Sequence, residues 1–382
     1  EITERDWSSD VCSSDLENRS LRALQAIASC YRDLFSFPVI GLTGSVGKTS
    51  TKEMIAAALS ARFCVVKTVG NENNETGVPL TLFRFADRYQ AAVVEMGTNH
   101  FGEIDRISAM AKPDICLLTN IGVAHIENFG SREGILEGKT EMLVHMRPGG
   151  RVIVNGDDDM LARIPDAMRF GRGPHCDVRA SDAADEGLDG ISFTATHGGR
   201  SARIRVPSPG AHSVYNALAA VSAGLALGMD LDELARGVAA FRPLPGRMNV
   251  LRTSRFTIID DSYNANPNSA VAALDVLRKV KGRRVCILGD MLELGKQARE
   301  HHEAVGMYAA AHCADLILCV GPESKATYSG ACSVSPRHAQ YFKTQQELMD
   351  ALPELLRGGD TILVKASRGM HLEQTVEFLL SL

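Results

Sequence analysis

Gly44-Ser45-Val46-Gly47-Lys48-Thr49-Ser50 is the stretch on which the fold turns. It follows a short apolar run at 37–42 and opens a segment, 50–63, in which Met54, Ile55, Ala58 and Leu59 recur at helical spacing. A strand, a glycine-rich turn and a helix in that order bring backbone N–H groups and the positive end of a helix to one point, which is a cradle for phosphate. All seven residues, Gly44 to Ser50, are therefore assigned to a bound nucleotide, with Lys48 reaching the β- and γ-phosphates and the Thr49 hydroxyl holding magnesium. The strict P-loop pattern has a glycine where this chain has Leu42, its own glycines standing at 41, 44 and 47. A plain glycine turn is the competing reading, and Gly-Lys-Thr-Ser at a strand-to-helix junction argues against it.

The alternation continues in both directions. A helical face formed by Leu21, Leu24, Ile27 and Tyr31 precedes the first strand. Apolar runs at 91–96, 115–118 and 152–154 alternate after it with helical stretches at 104–110 and 131–146. Short apolar runs separated by helices predict a mostly parallel sheet covered on its faces. Residues 171–209 are richer in Gly, Asp and Ala and alternate at Ile191, Phe193, Ala202, Ile204 and Val206, which predicts a small antiparallel elaboration of the same domain. After a helix-rich stretch, 213–241, Pro243-Leu244-Pro245-Gly246 reads as a linker. Runs at 256–259, 285–288, 316–320 and 361–364 then predict a second, Rossmann-like sheet.

The expected fold class is thus α/β, with a central P-loop NTPase-like domain at 37–242 and a C-terminal Rossmann-like domain at 243–382. Residues 17–36 form a lead-in helix, and residues 1–16, where Ser-Ser-Asp occurs twice without periodicity, are expected to be disordered or non-native. At 382 residues the chain exceeds the ~250–300 residues beyond which one core usually gives way to several domains. A net charge of −5, from 41 Lys and Arg against 46 Asp and Glu, argues against a general nucleic-acid binder while leaving room for local phosphate sites. Nine cysteines without a CxxC pair point to reduced thiols in a cytoplasmic protein. No apolar run approaches the ~18 residues of a membrane helix.

Further candidates lie at strand ends. Glu95 ends the apolar pair Val93-Val94, and Asn120 to His125 follow the run ending at Leu118; in a parallel sheet these ends share an edge with the glycine loop. A carboxylate and an imidazole placed there can hold magnesium beside a nucleotide. Lys139 lies at i+4 from Ile135 and i−3 from Met142, on the apolar face of its helix. Desolvation there would push the amine toward its neutral, nucleophilic form, although spacing alone favours a stem that is buried while the ammonium reaches water. In the second domain Asp260-Asp261-Ser262-Tyr263-Asn264-Ala265-Asn266-Pro267-Asn268 packs more polar side chains at one strand end than an Asx-turn and a helix cap require. Tyr263, Asn264 and Asn266 are expected to meet a substrate. His301-His302 reads as a solvated helix start.

With these motifs the chain resembles the Mur ligases, the ATP-dependent amide-forming enzymes of peptidoglycan precursor synthesis. The resemblance rests on 43–51 (TGSVGKTST), 70–79 (GNENNETGVP), 95–97, 119–125 (TNIGVAH), 139–141, 210–217 (GAHSVYNA), 245–247, 260–267 (DDSYNANP) and 289–295 (GDMLELG). It implies ATP and Mg2+ as cofactors. It also implies the addition of D-alanyl-D-alanine to UDP-N-acetylmuramoyl-tripeptide through an acyl phosphate, with no nucleic-acid partner, no membrane insertion and a monomeric state. On the same resemblance Lys48, His125 and Lys139 are catalytic. Thr49 and Glu95 hold one magnesium, and His125 and a carbamylated Lys139 a second. Asn216 contacts adenine, Arg247 and Asp261 reach the nucleotide from a C-terminal domain that closes by a hinge near 243–246, and Asn71, Asn73 and Asn74 face the muramoyl peptide. Only about 36 residues precede the first strand, so the UDP-binding domain of such ligases is expected to be largely missing. A nucleotide-binding module without ligase activity, and a sister ligase with another acceptor, are the alternatives.

Overall fold

The computed structural model describes the backbone of residues 9–123 and 126–382, with side chains from residue 19 onward. The contacts divide the chain into two compact units: one through Arg179 that also takes in Leu218–Gly237, and one made of Ala180–Ala217 and Val238–Leu382.

In the first unit, helix α1 (Ser9–Arg32) leads into β1 (Val39–Thr43), α2 (Lys48–Leu59), β2 (Val65–Lys67), α3 (Gly77–Leu82) and β3 (Ala91–Glu95). Then come α4 (Glu103–Ala111), β4 (Ile115–Leu118), α5 (Ile126–Phe129), α6 (Arg132–Thr140), β5 (Arg151–Asn155), β6 (Met168–Gly171) and β7 (Val178–Asp185), which leaves the first unit after Arg179. The strands run in the order β2-β3-β1-β4-β5-β6-β7, and every pairing is parallel. Strands β1, β3 and β4 are buried along their whole length, which is why they read as continuous apolar runs in the sequence. Register aligns Leu42 with Glu95 and Thr43 with Leu118, so the glycine loop, Glu95 and the segment after Leu118 leave the sheet at one edge.

Helix α1 begins at Ser9, ahead of the expected residue 17, since no Gly or Pro interrupts residues 9–32; residues 1–8 lie outside the described ones. Helix α6 ends at Thr140, short of the expected 146. The Thr140 hydroxyl bonds back to the carbonyls of Leu136 and Glu137 at 2.9 and 3.0 Å, and the chain tightens into a single 3-10 turn at Glu141–Leu143.

The second unit contains the hairpin of β8 (Ile191–His197) and β9 (Arg200–Val206), antiparallel as expected. Helices α7 (His212–Ala226) and α8 (Leu231–Ala239) each cross a boundary between the units. The second sheet comprises β10 (Asn249–Arg252), β11 (Thr257–Asp261), β12 (Arg284–Gly289), β13 (Leu316–Val320), β14 (Ala339–Phe342) and β15 (Thr361–Lys365) in the order β10-β11-β15-β12-β13-β14, parallel except for β10. Helices α9 (Pro267–Arg278), α10 (Ala298–Tyr308), α11 (Ser324–Val334), α12 (Gln345–Leu355) and α13 (Glu373–Ser381) accompany it.

By contacts residues 180–217 group with the second sheet's unit, while in strand order β8 and β9 continue the first sheet beyond β7, as an elaboration of that sheet. Residues 180–217 associate with the second sheet's unit because Asp185 pairs with Lys279 at 2.6 Å, Asp189 pairs with Arg252 at 2.7 Å, and Leu188 packs on a core that includes Ile259, Leu274 and Val276. Every described cysteine is a free thiol, and no described helix is long and apolar enough to cross a membrane.

Candidate functional site

The glycine loop is held from beneath by the segment after β4. Ser45 N–H donates to Asn120 O at 3.0 Å, Val46 N–H to Asn120 Oδ1 at 2.9 Å, and Asn120 Nδ2 returns a bond to Val46 O at 2.8 Å. The Ser45 hydroxyl accepts from Gly122 N–H at 2.9 Å. Such reciprocal bonding fixes the loop before any ligand arrives, so little ordering cost remains at binding. Two glycines are sterically required. A Cβ on Gly44 would lie 1.9 Å from Thr119 Oγ1, and Gly47, which caps α2, has a left-handed φ of 79°. From Gly47 the chain turns into α2, leaving its first N–H groups without helical partners, as an anion site needs. Lys48 Nζ folds over the loop and donates to Gly44 O at 2.8 Å.

Glu95, at the end of β3, is only 1% exposed. Its backbone N–H is anchored on Thr68 Oγ1 at 3.0 Å, and its Oε1 accepts from the Thr49 hydroxyl at 3.1 Å and from Asn73 Nδ2 at 2.8 Å. Its other oxygen, Oε2, is buried with no hydrogen-bond partner, and the nearest charge is the Lys52 ammonium at 3.4 Å. A buried carboxylate oxygen without a donor, beside a threonine hydroxyl and next to a phosphate cradle, fits a hard divalent cation. Thr49 and Glu95 are thus brought together as expected. His125, assigned to the same edge, lies outside the described residues.

Lys139 corrects the snorkelling expectation. Its side chain is buried, at 2% exposure, and its pKa is pushed well below the ordinary lysine value, first by burial and then by the nearby Lys48 charge. Burial is enforced locally: Ser131 caps α6 by accepting from Gly134 N–H at 3.2 Å, and Gly138 admits the Phe129 ring so closely that a Cβ would lie 2.5 Å from it.

The asparagine run is divided. Asn73 joins Glu95. The Asn74 side-chain Oδ1 accepts from Thr76 and Gly77 N–H at 3.2 and 2.8 Å, a turn that starts α3, and Asn71 contributes its backbone carbonyl to Asn73 N–H at 2.7 Å. Lys52 was not singled out from the sequence. It is completely buried and contacts Glu53 and Glu95, both at 3.4 Å, and the Gly70 carbonyl at 3.3 Å. The signal was present, since Lys52 sits three residues before buried Ile55 on α2, the same spacing that drew attention to Lys139.

In the second unit much of the polar cluster at 260–268 is used internally. Asp260 accepts from Gly246 N–H at 2.7 Å and from the Ser262 hydroxyl at 2.6 Å. Asn266 caps α9 in a reciprocal pair with Ser269. Asp261 accepts from Met248 N–H at 2.9 Å and is ion-paired with Lys365, its neighbour in register on β15; Lys365 also donates to Asn264 O at 3.0 Å. Arg247 and Arg368 stack on Tyr263, with guanidinium carbons 4.0 and 5.3 Å from the ring centre. Asn216 takes part in interactions of its own on α7. His302, expected to be solvated, is fully buried. Its Nε2 accepts from Met291 N–H at 3.0 Å while Nδ1 faces Ala298 O at 2.7 Å, so the ring ties the loop after β12 to the start of α10.

A parallel sheet with a glycine loop after its central strand, a lysine folded over that loop, and a buried Thr–Glu pair beside it define a P-loop α/β protein that handles a nucleoside triphosphate. The chain belongs to the Mur ligase family: residues 42–224 match the Mur ligase middle domain and residues 246–368 match the Mur ligase, glutamate ligase domain. It is 36% identical over 371 residues to the UDP-N-acetylmuramoyl-tripeptide–D-alanyl-D-alanine ligase of Bacillus subtilis, covering 96% of this chain and 80% of that one. Among solved structures it resembles MurF from Acinetobacter baumannii, with a TM-score of 0.88 and 35% identity over 95% of this chain and 81% of the other. It also resembles MurF from Thermotoga maritima in complex with ADP, with a TM-score of 0.84 and 27% identity over 95% and 84%.

Proposed function

We propose that this chain is the ligase that joins D-alanyl-D-alanine to UDP-N-acetylmuramoyl-tripeptide at the expense of ATP, in the cytoplasmic stage of peptidoglycan precursor synthesis. The observation that carries the reading is the convergence of the glycine loop, Lys48, the Thr49–Glu95 pair and buried Lys139 within one unit. Matched segments at 42–224 and 246–368 support a central ATP-binding domain at 37–242 and a C-terminal ligase domain at 243–382.

The chemistry divides into two displacements. An oxygen of the tripeptide's terminal carboxylate attacks the γ-phosphorus, and the bond to the bridging oxygen breaks to release ADP. The dipeptide amine, having lost a proton, then attacks the acyl carbon of the mixed anhydride, and the tetrahedral intermediate expels phosphate as the amide forms. The loop N–H groups and Lys48 oppose charge on the transferring phosphoryl group without reorganising. Thr49 and Glu95 would hold Mg2+, which supplies charge neutralisation on the phosphates. Lys139, held toward its neutral form, would react as R-NH2 + CO2 → R-NH-COO⁻ + H⁺ and would then offer an anionic oxygen ligand to a cation that its ammonium form would repel. With His125 it would complete a second cation site. In the second unit we assign Asn216, Arg247 and Asp261 to the nucleotide, and Tyr263, Asn264 and Asn266 to the ligated substrates. Asn71 and Asn74 remain assigned to the muramoyl peptide, and Asn73 to the Glu95 corner.

Phosphate release is the test. It should require ATP, UDP-N-acetylmuramoyl-tripeptide and D-alanyl-D-alanine together. Release stimulated by single amino acids instead would make the chain a sister ligase, and nucleotide binding with no substrate-dependent release would reduce it to a binding module.

A further inference from the structure

Away from the glycine loop, the first unit brings together three side chains of different ligand chemistry that no step above uses. Asp157 follows β5, while His175 and Cys176 lie in the turn between β6 and β7. Pairing of Asn155 with Phe170, continued by a bond from Gly156 N–H to Phe170 O at 2.8 Å, sets these two segments side by side. Asp157 Oδ1 lies 3.8 Å from both Cys176 Sγ and His175 Nε2, and the three ligand atoms all fall within 4.8 Å of one another. Glycines make the approach possible: a Cβ on Gly156 would lie 2.8 Å from Cys176 Sγ, and one on Gly171 would lie 2.7 Å from it.

We propose that Asp157, His175 and Cys176 form a binding site for a zinc-class divalent metal, separate from the nucleotide site. Bonds of about 2.0–2.3 Å at tetrahedral angles put neighbouring donor atoms roughly 3.3–3.6 Å apart, so the two 3.8 Å contacts to Asp157 need a few tenths of an ångström of closure and the His175–Cys176 edge, within 4.8 Å, at most about 1.3 Å, a side-chain adjustment open to two partly exposed residues. Thiolate, imidazole and a single carboxylate select zinc or cobalt over magnesium and calcium, which take oxygen ligands. His175 is half exposed, which leaves a fourth position for solvent and an entry path. Two metal-free contacts are exchanged on binding. The Cys176 thiol, held up at about 11 by burial and by Asp157, faces Asp157 Oδ1 and loses its proton to solvent as sulfur binds. The imidazole gives up its contact with Gly156 O, 2.8 Å from Nε2, and carries its proton on Nδ1. Arg172 and Gly173 N–H already hold the Asp157 carboxylate at 2.6 and 3.0 Å, the outer bonding that orients a ligating carboxylate. The adjacent residue, Asp158, accepts from Ile121 N–H at 2.8 Å, so a metal at Asp157 clips a loop that supports the segment after β4.

The test uses the full chain, stripped with a chelator and titrated with Co2+. One equivalent should bind with a thiolate-to-cobalt charge-transfer band, be displaced by Zn2+ and not by Mg2+, and raise the thermal midpoint reversibly. The band should vanish in Cys176→Ser, and affinity should fall at least about tenfold in His175→Ala. A band of full strength in Cys176→Ser, or no band in the wild-type chain, overturns the site. In the unaltered protein, Zn2+ should also protect Cys176 from alkylation as read by mass spectrometry, and equal labelling with and without Zn2+ would refute the proposal even if the variants failed to fold.

Discussion

Replacing Lys52 with methionine isolates the electrostatics that hold Glu95 in place. The lysine is 0% exposed and its ammonium lies 3.4 Å from Glu95 Oε2, an oxygen with no hydrogen-bond donor of its own. Methionine keeps most of the apolar stem and removes the charge, leaving a carboxylate that is 1% exposed without a counter-charge. Removing one partner of a buried pair costs about 3–5 kcal/mol. Glu95 Oε1 retains its bonds from Thr49 and Asn73, and Glu53 retains Lys67, so the lower end of that range applies here. For a unit of about 200 residues, a loss of about 3 kcal/mol lowers its thermal midpoint by roughly 6–12 °C. The assay is a double-mutant cycle with Glu95→Gln in nucleotide-free protein, following the first unfolding transition. Lys52→Met should be much less costly in the Glu95→Gln background, because the stranded charge is gone. Magnesium with a nucleotide should stabilise Lys52→Met more than the wild type, since the cation would supply the missing positive charge. A Lys52→Met protein within about 1 kcal/mol of wild type, or one whose cost is the same in both backgrounds, would refute the argument that a buried ion pair poises Glu95.

Gly44→Ala forces a methyl to within 1.9 Å of Thr119 Oγ1 and should weaken nucleotide binding by more than about tenfold in calorimetry, with Thr119→Gly restoring part of the loss; wild-type affinity would show that the loop yields freely. Lys139→Met should lower ligation on the order of 10²-fold or more without loss of stability at neutral pH, because it removes a buried amine whose charge is disfavoured. The folded pKa of Lys139 lies well below 10.5, so between the two values the unfolded chain binds more protons and stability rises with pH; Lys139→Met should lack that slope in chemical denaturation. Carbon-dioxide-free buffer should slow the wild-type enzyme and bicarbonate restore it, and indifference to both would remove the carbamate. His212 is lowered from 6.5, first by burial, with Asp261 opposing and Lys365 reinforcing the shift. Unfolded chains then bind more protons between the folded value and 6.5, so stability should rise with pH across that window and be lost as pH falls through it, less steeply in His212→Asn, and an NMR titration midpoint at or above 6.5 would contradict this.

The sequence made the buried strands legible because β1, β3 and β4 lie within the sheet and have to be apolar on both faces. Strands β2, β10 and β14 occupy sheet edges, are three or four residues long and are only partly buried, so no continuous apolar run marks them. The glycine loop and Glu95 were legible for a related reason: a parallel sheet sends all its strand ends to one edge, so position along the chain fixes position in the site. Association of residues 180–217 with the second unit was not, because it depends on ion pairs such as Asp185–Lys279, between residues far apart in sequence.

Lysines 52 and 139 show where spacing stops being informative. Both sit on the inward face of a helix, and spacing alone cannot say whether such a lysine escapes to water or what surrounds it if it does not. The fold gives the two opposite surroundings. Lys52 meets two carboxylates and a carbonyl, which offset the loss of hydration and allow it to serve as a fixed counter-charge. Lys139 meets burial and the charge of Lys48, which push the same way, so its ammonium form is disfavoured by everything that shifts it. A chain selected for stability alone would fill position 139 with leucine or methionine. Burying an amine there, beside a phosphate cradle, costs stability, and the reactivity of a neutral amine proposed above would account for that cost.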